Sequence, residues 1–152
     1  MEKSSNLSIL EAIKAPKTRE INLIVVHCTA TKSWMDVRAD DVDRWHRQRG
    51  FLCIGYHFLI TLDGDIEVGR PLAQVGAHCR GHNAHSVGVA YVGGLDAKGR
   101  AADTRTDAQK QALTALLQRL RQLFPQAKIA PHSRFAAKAC PCFDVDKEYA
   151  SL

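Results

Sequence analysis

The feature that most restricts the fold of this chain is a short apolar run that ends in polar residues. Residues 21–27 are rich in β-branched side chains and too few for an ordinary helix, so they predict a buried strand. The run leads directly into the polar string His27, Cys28, Thr29, Ala30, Thr31, and strand ends of this kind often carry chemistry. No apolar run approaches the roughly 18 residues of a membrane-spanning helix. A buried sheet with covered faces is therefore the expected core.

Two segments show helical periodicity. In residues 38–49, Val42 and Trp45 recur among charged side chains, and Gly50 follows as a cap, which predicts an amphipathic helix. Thr106 with Gln109 three residues later forms a capping-box pattern. It opens a second helix, stopped by Pro125, with one apolar face made of Leu113, Leu116, Leu117, Leu120 and Phe124.

Further strands alternate with these helices. Residues 54–62 and 65–69 flank an Asp63-Gly64 hairpin turn, and residues 86–92 form another strand. Residues 127–152 hold a short strand, a loop and a final short helix. The pattern predicts a single α/β domain with a central mixed β-sheet flanked by α-helices. We place this domain at residues 20–152, preceded by an N-terminal arm at residues 1–19.

Composition limits the class of protein and its partners. The chain has 152 residues, 45% of them hydrophobic and 24% charged, which suits one domain and excludes disorder. Its net charge of +5 suggests a polyanionic partner without identifying it. The odd number of cysteines, five, predicts free or metal-bound thiols in a reducing compartment. Residues 1–17 do not resemble a secretory signal.

A metal site is suggested by His27 after the first strand and by His132 and Cys140 in the C-terminal part. Two imidazoles and one thiolate suit a zinc ion that keeps a fourth position open. The spacing between His132 and Cys140 matches no compact zinc motif, so on spacing alone surface histidines and an inert cysteine are the alternative.

Five ordered blocks of sequence resemble the zinc-dependent N-acetylmuramoyl-L-alanine amidases, the family that includes bacteriophage T7 lysozyme and the peptidoglycan recognition proteins. They run through nearly the whole domain, and the phage lysozyme branch is the most similar. The blocks are VVHCTAT (25–31), GYHFLI (55–60), DGDIEVGR (63–70), VGAHCRGHNAHSVGVAYVGG (75–94) and PHSRFAAKACPCFD (131–144).

The resemblance implies roles for individual residues. It assigns one zinc ion per chain to His27, His132 and Cys140, with water in the fourth position. Tyr56 and Lys138 match catalytic residues, Tyr56 to position water or pass a proton and Lys138 to stabilise the oxyanion. The remaining matches, His78 and Asn83, fall where family members line the muropeptide groove. Which group is the general base stays open.

Other interpretations accompany these assignments. Without the surrounding motifs, Tyr56 is a half-buried strand aromatic and Lys138 a solvated lysine. The other histidines are given structural, surface or loop positions: His57 on the opposite strand face, His46 on the helix surface, and His82 and His85 in a loop that touches substrate or is solvated.

Cys142 departs from the family, which commonly has Ser or Gly there. It is placed to compete for zinc or to oxidise with Cys140. We assign the metal to Cys140, because its spacing from His132 and the following Pro141 both match the family pattern.

The leading functional hypothesis is an amidase that cleaves peptidoglycan between N-acetylmuramic acid and L-alanine, as a bacteriolytic, antimicrobial endolysin of a phage or prophage. We expect a monomer that binds peptidoglycan or muropeptides but no nucleic acid or membrane. It is made in the bacterial cytoplasm without a signal peptide and reaches the wall by holin-type release. The alternatives are a peptidoglycan-binding module without hydrolysis, a cytoplasmic muropeptide-recycling amidase, and a nucleic-acid binder suggested by Arg44, Arg47 and Arg49.

Overall fold

A five-stranded mixed sheet forms the centre of the computed structural model, which describes residues 4–152. The strand order is β4-β3-β5-β1-β7, with β3–β4 the antiparallel pair and the other neighbours parallel. A separate parallel pair joins β2 to β6. The predicted α/β class with a mixed sheet is confirmed. The strands are β1 Leu23–Cys28, β2 Thr31–Lys32, β3 Phe58–Ile60, β4 Ile66–Val68, β5 Ser86–Tyr91, β6 Gly94–Leu95 and β7 Lys128–Pro131.

Helices cover both faces of the sheet. They are α1 Ser4–Ala12, α2 Ala39–Gln48, α3 Asp107–Leu123 and α4 Val145–Glu148. Ile24 and Val26 of β1 share one apolar cluster with the leucines of α3, whereas Leu23 and Val25 belong to another. Because side chains alternate between the faces of a strand, His27 points to the side of Leu23 and Val25, away from α3.

The predicted capping box at the start of α3 is confirmed. The backbone N–H of Gln109 donates to Thr106 Oγ1 (3.1 Å), and the backbone N–H of Thr106 donates to Gln109 Oε1 (3.0 Å). The buried Gln109 amide also donates to the carbonyl of Val92 (2.8 Å), beyond the end of β5. The box therefore fixes the start of the helix and its position on the sheet.

The strand predicted at residues 54–62 is shorter, because β3 covers only Phe58–Ile60. The residues before it fill the space between α2 and the chain around Ala77. Gly55 donates to His46 Nδ1 (2.8 Å) and accepts from Ala77 N–H (3.1 Å), and a Cβ at Gly55 would lie 2.1 Å from the Ala77 oxygen. The apolar character of Ile54 thus reflects burial rather than strand pairing. The predicted hairpin turn is present, with Gly64 at φ +83°.

The N-terminal segment packs against the same core. Leu10 and Ile13 join the apolar cluster that includes α3. The Asn6 side chain donates to the Gly64 carbonyl (2.7 Å) and accepts from Ile66 N–H (2.9 Å), which ties α1 to the hairpin. The boundary at residue 20 stays a prediction, and residues 1–3 of the proposed arm lie outside the described residues. None of the described helices is long and apolar enough to cross a membrane.

His57 is a structural residue at the start of β3. Its ring is completely buried, with Nδ1 accepting from Gly88 N–H (3.0 Å) and Nε2 lying 2.8 Å from the Gln74 carbonyl. Burial lowers the pKa of His57 to about 4. Between about pH 4 and pH 6.5, this imidazole is therefore neutral in the folded protein and protonated in the unfolded chain.

We predict that His57 makes the protein less stable as the pH falls from about 6.5 towards 4, because the unfolded chain binds the extra proton. Between pH 7.5 and pH 5 the free energy of unfolding should fall by about 2 kcal/mol from this residue alone. Urea titrations of metal-free protein should show a weaker acid dependence for His57→Gln. The control His85→Gln removes a half-buried histidine of the turn before β5 and should keep a steeper acid dependence than His57→Gln. Equal acid slopes for all three proteins would contradict the prediction.

Candidate active site

Strand register brings two histidines together at the carboxyl edge of the sheet. In the parallel pair β1–β7, Val26 lies opposite Pro131, and each strand continues into a histidine. His27 and His132 consequently face each other, with ring centroids 4.4 Å apart. Side chains at the carboxyl ends of neighbouring parallel strands are the usual place for a site in an open α/β sheet.

Cys140 reaches the same point from the loop after β7. Its carbonyl accepts from Ser133 N–H (2.9 Å), and its Sγ accepts from the backbone N–H of Cys28 (3.1 Å). One ligand atom from each of His27, His132 and Cys140 lies within 4.8 Å of the others. The structure thus brings together all three residues predicted to hold zinc.

The protonation states of this group suit a metal. Burial, with the neighbouring His78 and His132, holds the pKa of His27 well below its usual range, and burial also lowers the pKa of His132. The hydrogen bond from the Cys28 thiol lowers the pKa of Cys140, assisted by the Cys28 backbone N–H. Two neutral imidazoles and a thiol that loses its proton more readily than usual form a donor set that suits zinc.

His78 is a hydrogen-bond partner of His27. His27 Nε2 lies 2.8 Å from His78 Nδ1, and His78 Nε2 lies 3.1 Å from Ser86 Oγ. Burial lowers the pKa of His78 to about 3, so this chain of hydrogen bonds is neutral. A Cβ at Gly88 would lie 2.5 Å from the His78 ring, so the glycine makes room for it. The contact leaves Nδ1 of His27 to coordinate a metal, as is common for ligands held through their second ring nitrogen.

Asn83 fixes the loop that carries His78. Its side-chain oxygen accepts from the backbone N–H groups of His78 and Cys79, both at 2.9 Å. Both predicted groove residues, His78 and Asn83, line the cavity, but the contacts seen in the structure are internal. Direct substrate binding by either stays a prediction.

A cavity of about 660 Å³ is lined by His27 and His132 and by both predicted catalytic residues. The ring of half-buried Tyr56 lies 5.1 Å from that of His27, and burial raises the pKa of Tyr56, so the phenol is protonated at neutral pH. Lys138 lies exposed at the rim and electrostatically lowers the pKa of both His27 and His132.

His46 is not the surface residue that the sequence predicts. It is buried, its Nδ1 accepts from Gly55 N–H (2.8 Å), and its ring lies 5.4 Å from Tyr56 and 5.2 Å from Phe51. The sequence did contain an indication of this burial, because His46 lies four residues after Val42, on the apolar side of α2. The cavity is also lined by residues that sequence reasoning did not assign to this site: Arg49, Phe51, Arg80 and Phe135.

Cys142 lies outside the group formed by His27, His132 and Cys140. Its Sγ lies 3.3 Å from the Gly94 carbonyl, and its backbone adopts φ +70°, a conformation that favours glycine. Burial raises the pKa of Cys142 to about 11, in contrast to Cys140. Among the described residues, the group able to hold a metal therefore contains Cys140 and not Cys142.

We predict that Asn83→Leu leaves two backbone N–H groups without an acceptor and lowers the free energy of unfolding by about 1–3 kcal/mol. Asn83→Asp keeps the oxygen acceptors and should lose much less. Urea unfolding at pH 7 measures both variants. If Asn83 acts only on substrate, the leucine variant will unfold like wild type.

Comparisons with known proteins agree with this geometry. The sequence model of the family described as Amidase_2, N-acetylmuramoyl-L-alanine amidase, matches residues 17–143. The chain is 44% identical over 135 residues to an endolysin of Enterobacteria phage K11, spanning 89% of each protein. It is 42% identical over 132 residues to an endolysin of Escherichia phage T7, spanning 86% of this chain and 87% of that one.

A solved structure shows the same fold. The chain superposes on the N-acetylmuramoyl-L-alanine amidase LysC from Clostridium intestinale URNW with a TM-score of 0.74 and 30% identity. The match covers 87% of this chain and 83% of LysC.

Proposed function

The chain belongs to the N-acetylmuramoyl-L-alanine amidase family, and we propose that it uses one zinc ion to cleave the bond between N-acetylmuramic acid and L-alanine in bacterial peptidoglycan. The observation that carries this proposal is the convergence of His27, His132 and Cys140 beside an open cavity. We propose in addition that it serves as a phage or prophage endolysin, since relatives at 42–44% identity bear that name.

The donor set supports zinc as the cofactor. His27 and His132 would bind through neutral imidazoles, and Cys140 through a thiolate stabilised by two hydrogen bonds from Cys28. When bound, zinc activates water as a nucleophile and polarises the amide carbonyl. The protein contributes the fixed positions of the ligands and the cavity in which the scissile amide is held.

Tyr56 and Lys138 supply complementary chemistry. Burial raises the pKa of the Tyr56 phenol, so it keeps its proton at neutral pH, which suits donation to the nitrogen of the leaving alanine. Lys138, a cation at the rim, is suited to stabilise the negative oxygen that develops on the carbonyl. Both line the same cavity as His27 and His132, which supports their action on a single bound amide.

Two alternatives are less well supported. A binding module without hydrolysis would not need the complete set of three ligands that the fold assembles. The nucleic-acid binder was suggested by a basic run on and just after α2, but two of its three arginines are paired with carboxylates. Arg44 pairs with Asp41 (3.0 Å) and Arg47 with Asp43 (2.8 Å).

The proposal predicts that purified protein releases peptides with a new N-terminal alanine from bacterial cell walls, and that a chelator stops the release until zinc is returned. Cys140→Ser should lose both activity and bound zinc. The matched control Cys142→Ser removes a nearby thiol outside the metal group and should keep about one zinc per chain.

Mass spectrometry of the products and metal analysis of the proteins measure these outcomes. Full activity of Cys140→Ser would refute the ligand assignment, and release of sugars instead of alanyl peptides would refute the reaction. Faster cleavage of soluble muropeptides than of intact sacculi would favour the recycling alternative over the endolysin role.

We predict that Lys138→Ala lowers kcat by roughly 100- to 1000-fold, as expected when an oxyanion stabiliser is lost, while zinc content stays the same. Lys138→Arg retains the charge and should recover part of the rate.

Tyr56→Phe removes the proton donor and should also lower kcat, by a factor on the order of 100 or more. Both predictions are tested by steady-state kinetics on a soluble muropeptide, with metal analysis of each variant. A wild-type kcat in Lys138→Ala or in Tyr56→Phe would show that the substituted residue is not catalytic.

A further inference from the structure

Three of the five free thiols lie together beside the metal group. Cys28 ends β1, Cys140 lies in the loop after β7, and Cys142 follows two residues later. Cys28 belongs to the apolar cluster that includes α3, and the other two pack against that cluster. Of the remaining cysteines, Cys79 belongs to the cluster on the opposite face of β1, and Cys53 precedes β3. The proposed zinc site uses Cys140 alone, so the thiols beside it have no part in amide hydrolysis.

Cys28 is in direct contact with Cys140. Its backbone N–H donates to Cys140 Sγ (3.1 Å), and its carbonyl oxygen lies 3.8 Å from the same sulfur. The Cys28 thiol also forms a hydrogen bond with Cys140. The sulfur of the proposed metal ligand therefore lies against both the backbone and the side chain of a second cysteine.

Cys142 is also a neighbour of Cys28, in a different arrangement. Its Sγ lies 3.3 Å from the Gly94 carbonyl oxygen. A Cβ at Gly94 would lie 2.5 Å from Cys28 Sγ and 3.8 Å from Cys142 Sγ, so the glycine leaves room for both sulfurs. Cys28 forms hydrogen bonds with both of the other thiols and is therefore the common partner in this group.

The two thiols that are in contact differ in burial. Cys28 is 5% exposed, whereas Cys140 is only partly buried and is the more accessible to a small oxidant. An oxidised thiol condenses with a neighbouring thiol to a disulfide, whereas without one it is oxidised further to irreversible acids. In a reducing compartment, the disulfides that do form are usually transient and catalytic or redox-sensing. The contact between Cys28 and Cys140 thus favours reversible oxidation at the metal group.

We propose that hydroperoxides convert Cys140 and Cys28 of the metal-free protein to a reversible disulfide, and that this disulfide and zinc exclude each other. The Cys140 thiol attacks the O–O bond of hydrogen peroxide, which gives a sulfenic acid and one water molecule. The Cys28 thiol then attacks the oxidised sulfur, so that the S–S bond forms, the S–O bond breaks and a second water molecule leaves. In total, two thiols and one peroxide give one disulfide and two water molecules.

Cys28 thereby keeps the metal ligand recoverable, because an external dithiol returns the disulfide to two thiols by exchange. The exclusion of zinc rests on the proposed function, in which Cys140 is a ligand. Formation of the disulfide does not depend on that function.

The test starts from reduced, chelator-treated protein exposed to hydrogen peroxide. Wild-type protein should lose two of its five thiols, and peptide mapping by mass spectrometry should find Cys28 joined to Cys140. Zinc uptake should fall from about one ion per chain to almost none, and dithiothreitol should restore it. Protein loaded with zinc before the peroxide is added should form much less of this disulfide, because the Cys140 sulfur is then engaged.

Cys28→Ser distinguishes reversible from irreversible oxidation. Serine can donate a hydrogen bond to Cys140 but cannot form the disulfide, so Cys140 should pass to the sulfinic acid. Dithiothreitol should then fail to restore zinc uptake. Dimedone, which traps sulfenic acids, should label Cys140 in this variant far more than in wild type. Cys28→Ala should give the same results without a buried hydroxyl, and circular dichroism checks that each variant is folded.

Cys142→Ser is the matched control, since it removes the other thiol that contacts Cys28. It should form the disulfide and recover zinc uptake as wild type does. The proposal is overturned if the mapped disulfide contains Cys142, if Cys142→Ser prevents the reversible oxidation, or if Cys28→Ser recovers zinc uptake with dithiothreitol as fully as wild type.

Failure of the proposed function would give a different pattern. If reduced wild-type protein takes up no zinc, the cofactor assignment fails, but the peptide map of the oxidised protein still tests the disulfide. If no disulfide between Cys28 and Cys140 forms in the metal-free wild-type protein, the proposal is overturned whether or not zinc binds.

Discussion

The parallel pairing of β1 with β7 is the constraint on which the site depends. Its register sets Val26 opposite Pro131, so the residue after each of these two is a histidine at the same edge of the sheet. Cys28, the last residue of β1, then positions Cys140 through its backbone N–H. A shift of one residue in this register would turn His27 to the face covered by α3 and would separate the ligands. The arrangement of His27, His132 and Cys140 thus depends on sheet pairing as well as on the residue types themselves.

The neutral and the charged side chains around this group lie in different places. His27, His78 and His132 have lowered pKa values and are neutral at physiological pH, which suits coordination and a neutral supporting hydrogen bond. The permanent positive charges of Lys138, Arg49 and Arg80 lie at the cavity wall. Positive charge therefore lies at the cavity wall, where a developing oxyanion would lie, and the imidazoles nearby are neutral.

Local patterns predicted much of this fold. The Thr106–Gln109 box, the hairpin at Gly64 and the β1 run depend on neighbours in sequence, and each forms in the structure. Burial of His46 could not be predicted in this way, because it depends on Gly55, which arrives from a separate segment. The three ligands were identified through family resemblance rather than spacing, and the part played by Cys28 in positioning Cys140 appears only in three dimensions.

The central claim is that one zinc ion is held by two histidine nitrogens and a single cysteine sulfur. X-ray absorption spectroscopy of the zinc-loaded protein measures this directly. The account predicts one sulfur at about 2.3 Å and two nitrogens at about 2.0–2.1 Å, with the sulfur contribution lost in Cys140→Ser and retained in Cys142→Ser. Two sulfurs around the metal, or none in the wild-type protein, would contradict it.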